Sequence, residues 1–155
     1  MEAKAQALLE HYLNRLPEEE RSRPRKVDAY HFCGNEECAN TCARLVREGE
    51  KRATASLLWA YEAEDEPLAE VGDLAVITDW EGEPQAVIEI TAVVVKPFKD
   101  VNTEDAFEEG EGDKSLVFWR RVHWDAFTPD CQEIGREPSE VMPVVLERFR
   151  LVLLA

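Results

Sequence analysis

A lysine and a threonine stand three residues apart in GEKRAT, residues 49–54, where a glycine closes one helical pattern and a strand pattern begins. Such junctions expose side chains at the rim of a sheet. A lysine partly desolvated there would have a lowered pKa and could act as a base or polarise a carbonyl. Thr54 would be the hydroxyl that Lys51 activates or orients. The same spacing also describes an exposed lysine at a helix end, where the dipole favours it, followed by an ordinary strand threonine.

A second segment, AFEEGEGDKSL, gathers Glu108, Glu109, Glu111 and Asp113 around two glycines. Carboxyls this close raise one another's pKa if they are buried, and one of them held near a lysine would complete an acid–base pair. Otherwise the segment is a solvated turn. His123 titrates near neutral pH, although VHWDAF at helical spacing reads first as structure. With Arg52, Glu89, Arg120 and Arg121 it completes the candidate substrate contacts, Glu89 being the one acid that interrupts the apolar run AVIEITAVVV.

Cys33, Cys38 and Cys42 fall within ten residues, far from Cys131. In a reducing compartment such thiols are expected to stay free. Three thiolates can bind a soft metal, but Cys-x4-Cys-x3-Cys is not the paired spacing of common zinc sites. The reading adopted is that these are small buried hydrophobes on a helix, with no metal and no cofactor.

These residues need a scaffold, and the patterning supplies one. Leu8, Leu9, Tyr12, Leu13 and Leu16 share one stripe of an opening helix that ends at Pro17. The segment EEERSRPRK then reads as a charged connector containing the basic run Arg21, Arg23, Arg25 and Lys26. Asn35 caps a second helix that carries Glu36 and Glu37 in its first turn and stops at Gly49. Beyond it the period changes to that of strands: Ala53–Tyr61, Leu74–Thr78 and Ala86–Val95, with turns at Gly72-Asp73 and Glu81–Pro84. Asn102–Glu108 and Lys114–Phe127 read as helices, the second rich in aromatics, and VMPVVLERFRLVLL as a closing strand. Trp59, Tyr61 and Trp119 could each offer a base a stacking surface, although each reads first as a core residue.

Eighteen basic residues against 33 acidic give a net charge of −15. A polyanion is repelled by such a chain, because long nucleic acids bind largely through Lys and Arg; a single nucleotide is repelled less, and DNA is not an expected partner. No stretch approaches the ~20 apolar residues of a membrane span, and MEAKAQALLEHYLNRL lacks the parts of a secretory signal. The expectation is a cytoplasmic protein with a helix and charged linker over residues 1–27 and one domain over 28–155, monomeric or dimeric.

Four ordered blocks, GEKRATASLLWAYEAEDEPLAEVGD, IEITAVVVKPFKDV, AFEEGEGDKSLVFWRRVHWDAF and EVMPVVLERFRLV, together resemble the larger bacterial branch of the ASCH domain family, over roughly residues 28 to 152. The resemblance implies an α+β fold, a small PUA-like β-barrel with flanking helices, and a cleft that handles RNA or a modified ribonucleoside. It also implies that the chain could be a hydrolase, since small relatives are assigned amidohydrolase activity on N4-acetylcytidine and others ribonuclease activity on single-stranded RNA. Carried over by position, the family's lysine falls on Lys51, its threonine on Thr54 and its catalytic glutamate on Glu109, with Glu108 and Glu111 open as alternatives. In the implied mechanism Lys51 eases deprotonation of Thr54, which attacks the acetamide carbonyl, and Glu109 returns the proton to the leaving amine. A ribonuclease would instead use Lys51 with His123, and a non-catalytic RNA-binding regulator would use Arg120, Arg121, His123 and the 21–26 run as phosphate contacts. The sequence departs from the family at the cysteines of HFCGNEECANTCARL and at Glu50, where relatives are often basic.

Overall fold

A computed structural model describes residues 1–155. The opening apolar stripe forms helix α1 (Ala3–Leu13), which buries Ala5, Leu9 and Tyr12. The charged connector is not wholly irregular, because Pro17 starts a one-turn helix α2 (Glu18–Arg21) whose first turn is acidic, as the dipole favours. Strand β1 (Val27–Tyr30) leads to helix α3 (Glu36–Arg47), where the Asn35 side chain accepts the Cys38 backbone N–H at 2.9 Å. Ala39, Cys42, Ala43 and Val46 form its buried face.

The segment expected to be a strand from Ala53 to Tyr61 divides in two. Strand β2 stops at Leu57 and helix α4 (Leu58–Glu64) follows directly. Leu, Ala and Glu in LWAYEAE favour helix once no partner strand continues, and Trp59 then packs on the apolar cluster of Leu57 and Trp119. Strands β3 (Leu74–Thr78) and β4 (Pro84–Pro97), helices α5 (Thr103–Glu109) and α6 (Leu116–Glu133), and strand β5 (Pro143–Leu154) complete the chain. A capping box between Asn102 and Asp105 starts α5, and Ser115 caps α6. The sequence ends α6 at Phe127, ahead of Pro129, but the helix runs six residues further with Pro129 inside it.

The strands form one sheet in the order β1-β3-β4-β5-β2. β1 pairs with β3 in parallel, and the other pairings are antiparallel. The sheet is open: β1 and β2 lie at opposite edges, so the closed barrel expected from the resemblance is not formed, and the fold is α+β around a five-stranded sheet. Register shifts at Val87/Ile88 and Ile90/Ala92 interrupt the long β4–β5 pair; bulges of this kind bend and twist a strand. Helix α1 packs on β3 and β4, so residues 1–16 share the sheet's core. α3 packs with Phe32, Ile77, Ile88 and Phe149, and α6 with Leu57, Val144 and Leu146 at the β2–β5 end.

Candidate functional site

Lys51 is sealed inside the molecule, 2% exposed. Its ammonium donates to the Ala53 carbonyl at 2.9 Å, to Glu111 Oε2 at 3.0 Å and to Glu109 Oε2 at 3.4 Å, and lies 5.0 Å from the centre of the Phe32 ring. All three donors therefore have partners. The chain is brought there by the end of α3, where the N–H groups of Glu50 and Lys51 both bond the Leu45 carbonyl. It is fixed to the end of α5 by the Arg52 N–H donating to Glu108 O at 2.8 Å. Gly110 completes the junction in the left-handed region (φ 71°), so close to the Glu50 carbonyl that a Cβ would come within 2.1 Å of its oxygen. That approach sets the carboxylate of Glu109 against the ammonium.

Glu109, also 2% exposed, uses both oxygens. Oε1 accepts the Trp119 indole N–H at 3.1 Å, and Oε2 meets Lys51 and, at 3.4 Å, His123 Nε2. The His123 ring stacks on Trp119 with centroids 4.1 Å apart, and its Nδ1 lies 2.8 Å from the Trp119 carbonyl. With Nδ1–H donating to that carbonyl, only the imidazolium also donates from Nε2 to Glu109. Burial raises the Glu109 carboxyl, but Lys51 and His123 outweigh it and hold the carboxyl well below its usual range. Burial lowers Lys51, but Glu109 and Glu111 outweigh it and hold the ammonium above its usual value. The expectation of a lysine depressed toward base chemistry is thus reversed, and Lys51 is a fixed cation.

His123 follows the same logic: burial lowers its pKa, and Glu109 more than offsets this, leaving it above 6.5. Glu109 from α5 faces it, with Lys51 and Glu111 behind. A folded pKa above the unfolded one contributes stability that is complete below about 6.5 and lost as pH rises through the folded value. We expect the difference in urea midpoint between wild type and His123→Gln to shrink from mildly acidic to alkaline pH. A constant difference would show that the imidazolium contributes nothing.

Beside this buried cluster lies a cleft of about 370 Å³. Thr54 and Ser56 of β2, Glu147 of β5, Tyr61 of α4, Tyr30 of β1 and Phe32 line it, with Lys26, Asp28, Glu66 and Asp73 among its charged residues. Thr54 and Glu147 are directly opposed across the β2–β5 pair, which places their Cβ atoms about 4.5–5.5 Å apart. The Ser56 hydroxyl donates to the Tyr61 oxygen at 3.1 Å. Glu147 is 7% exposed, and its burial pushes the carboxyl up, partly offset by Tyr61 and Lys26. Phe32 joins the two regions, since it lines the cleft and also packs under the Lys51 ammonium.

The structure therefore brings together Lys51, Glu109 and His123, and places Thr54 in the adjoining cleft. The remaining candidate contacts sit elsewhere. Arg52 pairs with Glu108 at 3.0 Å and covers Phe107. Glu89 pairs with Arg150 at 2.8 Å; alternation along β4 puts it on the face opposite Ile88 and Ile90, toward α1. Arg120 holds the carbonyls of Lys99 and Val101, and Arg121 lies over the Phe118 ring. None of these four lines the cleft. Of the aromatics, Tyr61 lines it, Trp119 is core, and Trp59 packs under Arg136. Among the glutamates left open, Glu108 goes to the surface with Arg52, while Glu109 and Glu111 both reach Lys51.

Glu147, Tyr30 and Ser56 were not among the sequence candidates. Glu147 had a signal, a lone acid in the apolar stretch PVVLERF; nothing local marks Tyr30 or Ser56. The cysteines also depart from expectation. Cys33 and Cys38 are disulfide-bonded, and Cys42 and Cys131 are free and buried. The disulfide partners Cys33 and Cys38 lie at the start of α3, whose Asn35 cap turns the loop back over the first helical turn. Burial pushes the Cys42 thiol up to about 12.

The sequence model of the ASCH domain matches residues 28–153. The ASCH domain crystal structure from Lactobacillus crispatus JV V101 superposes with a TM-score of 0.94 at 41% identity, covering 98% of this chain and 96% of that one. A crystallised protein from Enterococcus faecalis V583, EF3133, superposes with a TM-score of 0.87 at 27% identity, over 99% and 91% of the two chains. The hypothetical protein PH0355, 16% identical with a TM-score of 0.53, shares the fold over 82% of this chain and 99% of that one. No curated protein matches the chain. No helix is long and apolar enough to cross a membrane.

Proposed function

The chain belongs to the ASCH domain family, and on that premise we propose that its cleft takes one ribonucleoside, free or turned out of an RNA strand, and hydrolyses an acylated base amine of the N4-acetylcytidine kind. The observation that carries this reading is the make-up of the cleft, with the hydroxyls of Thr54, Ser56 and Tyr61 and the carboxyl of Glu147 beside the rings of Tyr30 and Phe32. Stacking on an aromatic ring contributes about 1–3 kcal/mol per base without regard to sequence. Hydroxyls and a carboxyl suit a base edge and a ribose. An extended phosphate backbone is disfavoured, because Asp28, Glu66, Asp73 and Glu147 face a single lysine, Lys26, in a chain of net charge −15.

In the hydrolytic step the Thr54 oxygen attacks the acetamide carbonyl carbon and its proton passes to Glu147. A carboxyl raised by burial suits general-base work near neutral pH. Collapse of the adduct breaks the carbon–nitrogen bond, Glu147 returns the proton to the leaving amine, and water then frees acetate from Thr54. The proton shuttle that the resemblance assigns to Glu109 thus moves to Glu147. Lys51 and Glu109 become positioning residues, since Lys51 holds the Ala53 carbonyl, in the peptide unit that leads into Thr54. The ribonuclease alternative needs a free histidine at the phosphate, and His123 is engaged with Glu109 and Trp119.

The test is a parallel incubation with N4-acetylcytidine and with single-stranded RNA, the products being resolved by chromatography. Cytidine and acetate are expected from the first, with the RNA intact, and Thr54→Ala and Glu147→Gln should each slow release by about 100-fold or more. Unchanged acetylcytidine, together with no shift in the NMR spectrum on adding cytidine, would overturn the reading.

A further inference from the structure

Of four groups gathered around the start of α3, Cys33 also lines the cleft, and none has a part in the proposed hydrolytic step. Cys33 sits in the loop after β1 with a left-handed backbone (φ 65°), Cys38 in the first turn of α3, and Cys42 four residues on, on the same helix face. Glu111 comes from the loop after α5. Their three sulfurs and one carboxylate oxygen all lie within 4.8 Å of one another. Cys33 Sγ is 3.7 Å from Cys42 Sγ, and Cys42 Sγ is 3.4 Å from Glu111 Oε1.

We propose that in the reduced protein Cys33, Cys38, Cys42 and Glu111 form a tetrahedral site for one zinc-class divalent cation. Zinc bonds of about 2.3 Å to sulfur and 2.0–2.2 Å to oxygen require a sulfur–sulfur edge of about 3.8 Å and a sulfur–oxygen edge of about 3.5 Å. Two edges already stand at those lengths. A third edge, Cys33–Cys38, is drawn shorter by the disulfide, and the other three lie within 4.8 Å. Two-electron reduction by a dithiol or a phosphine cleaves that bond to two thiols. The cation then takes three thiolates and the Glu111 carboxylate, and three thiol protons are released.

Three features favour this occupant. Three sulfurs with one carboxylate suit a soft or borderline ion and disfavour magnesium and calcium, which take oxygen ligands. The two oxygens of Glu111 have separate partners: Oε2 is held by the buried Lys51 ammonium, leaving Oε1 directed at the sulfurs. A hydrogen bond to the far atom of a ligand orients it for the metal, and the ammonium also offsets the excess negative charge of three thiolates and a carboxylate around a dication. Finally, Cys33 is exposed, which provides an entry path. The disulfide and the metal use the same sulfurs, so oxidation of Cys33 and Cys38 expels the ion.

The test loads protein reduced with a phosphine under anaerobic conditions with Zn²⁺ against a chromophoric chelator, and with Co²⁺ as a spectroscopic probe. One equivalent per chain is expected, with thiolate-to-cobalt charge-transfer bands and the visible bands of tetrahedral Co²⁺. Cys42→Ser and Glu111→Gln should each weaken Zn²⁺ binding by at least about tenfold, the lower limit seen when even an outer partner is lost. Cys131→Ser, whose sulfur lies in the α6 core, should bind as wild type does. Circular dichroism in chelator confirms that each variant is folded; should Cys42→Ser fail to fold, Glu111→Gln carries the comparison alone. Absence of uptake, a Co²⁺ spectrum without thiolate bands, or a folded Glu111→Gln that binds as tightly as wild type would each overturn the proposal. Diamide-oxidised protein should bind none, and uptake at full affinity after oxidation would overturn it as well.

Discussion

Replacing Lys51 by methionine should cost about 3–5 kcal/mol of folding stability, the usual penalty for removing one partner of a buried ion pair. Methionine fills much of the same volume, so the loss is electrostatic rather than a cavity effect. It leaves Glu109, 2% exposed, without its ammonium and with only His123 and Trp119 as partners. Glu111 is less affected, because its side chain is 21% exposed and can turn to water. The measurement is guanidinium unfolding with the slope checked for constancy, so that a shift in midpoint reports stability alone. The double variant Lys51→Met/Glu109→Gln should recover part of the loss, since no buried carboxylate is then unpaired. A single-variant loss below about 1 kcal/mol, within the range of exposed pairs, would mean that the Lys51–Glu109 contact organises nothing.

The second large effect is expected at Gly110. Alanine there incurs the left-handed strain of about 1–2 kcal/mol, and its Cβ also meets the Glu50 carbonyl oxygen at 2.1 Å and the Lys51 nitrogen at 3.0 Å. Backbone cannot swing aside as a side-chain tip does, so the end of α5 must move, at a cost of about 1–3 kcal/mol typical of overpacking. Gly135 is the internal control, with almost the same φ (72° against 71°) and nothing within 4 Å of its Cβ position. Gly135→Ala should therefore show the strain alone. Gly110→Ala should exceed it by about 1–3 kcal/mol and should also cancel the pH dependence assigned to His123, because Glu109 moves with the helix end. Equal losses at the two glycines would contradict the close approach that positions Glu109.

These two results bear on how the cluster and the cleft divide the work. The buried ammonium, carboxylate and imidazole lock the end of α5 to the start of β2, and Thr54, the proposed nucleophile, lies one residue beyond the carbonyl that Lys51 holds. A variant that loosens the lock should lower stability and activity together. Glu147→Gln, at the cleft, should lower the proposed activity with a far smaller change in stability, since burial already disfavours the carboxylate there and the amide fills the same volume.

Much of the local structure was legible in the residues themselves. The apolar stripe of α1, the Asn35 cap with Glu36 and Glu37 behind it, the apolar, β-branched runs of β3 and β4, and the closing strand all follow from short-range sterics, capping and side-chain preference. The resemblance to the family singled out Lys51, Thr54 and Glu109, of which the fold pairs Lys51 with Glu109 and sets Thr54 in the adjoining cleft. What local pattern could not settle was every question that depends on where distant segments land. LWAYEAE forms a helix because β5 pairs with β2 only as far as Leu57. The sheet stays open because β1 pairs in parallel with β3 at the far edge from β2. That Glu109 and Glu111 meet Lys51 while Glu108 does not is decided by the contact of Gly110 with Glu50, sixty residues apart. The direction of the lysine's pKa reversed for the same reason: burial alone lowers an ammonium, and only the folded chain brings up the two carboxylates that outweigh it.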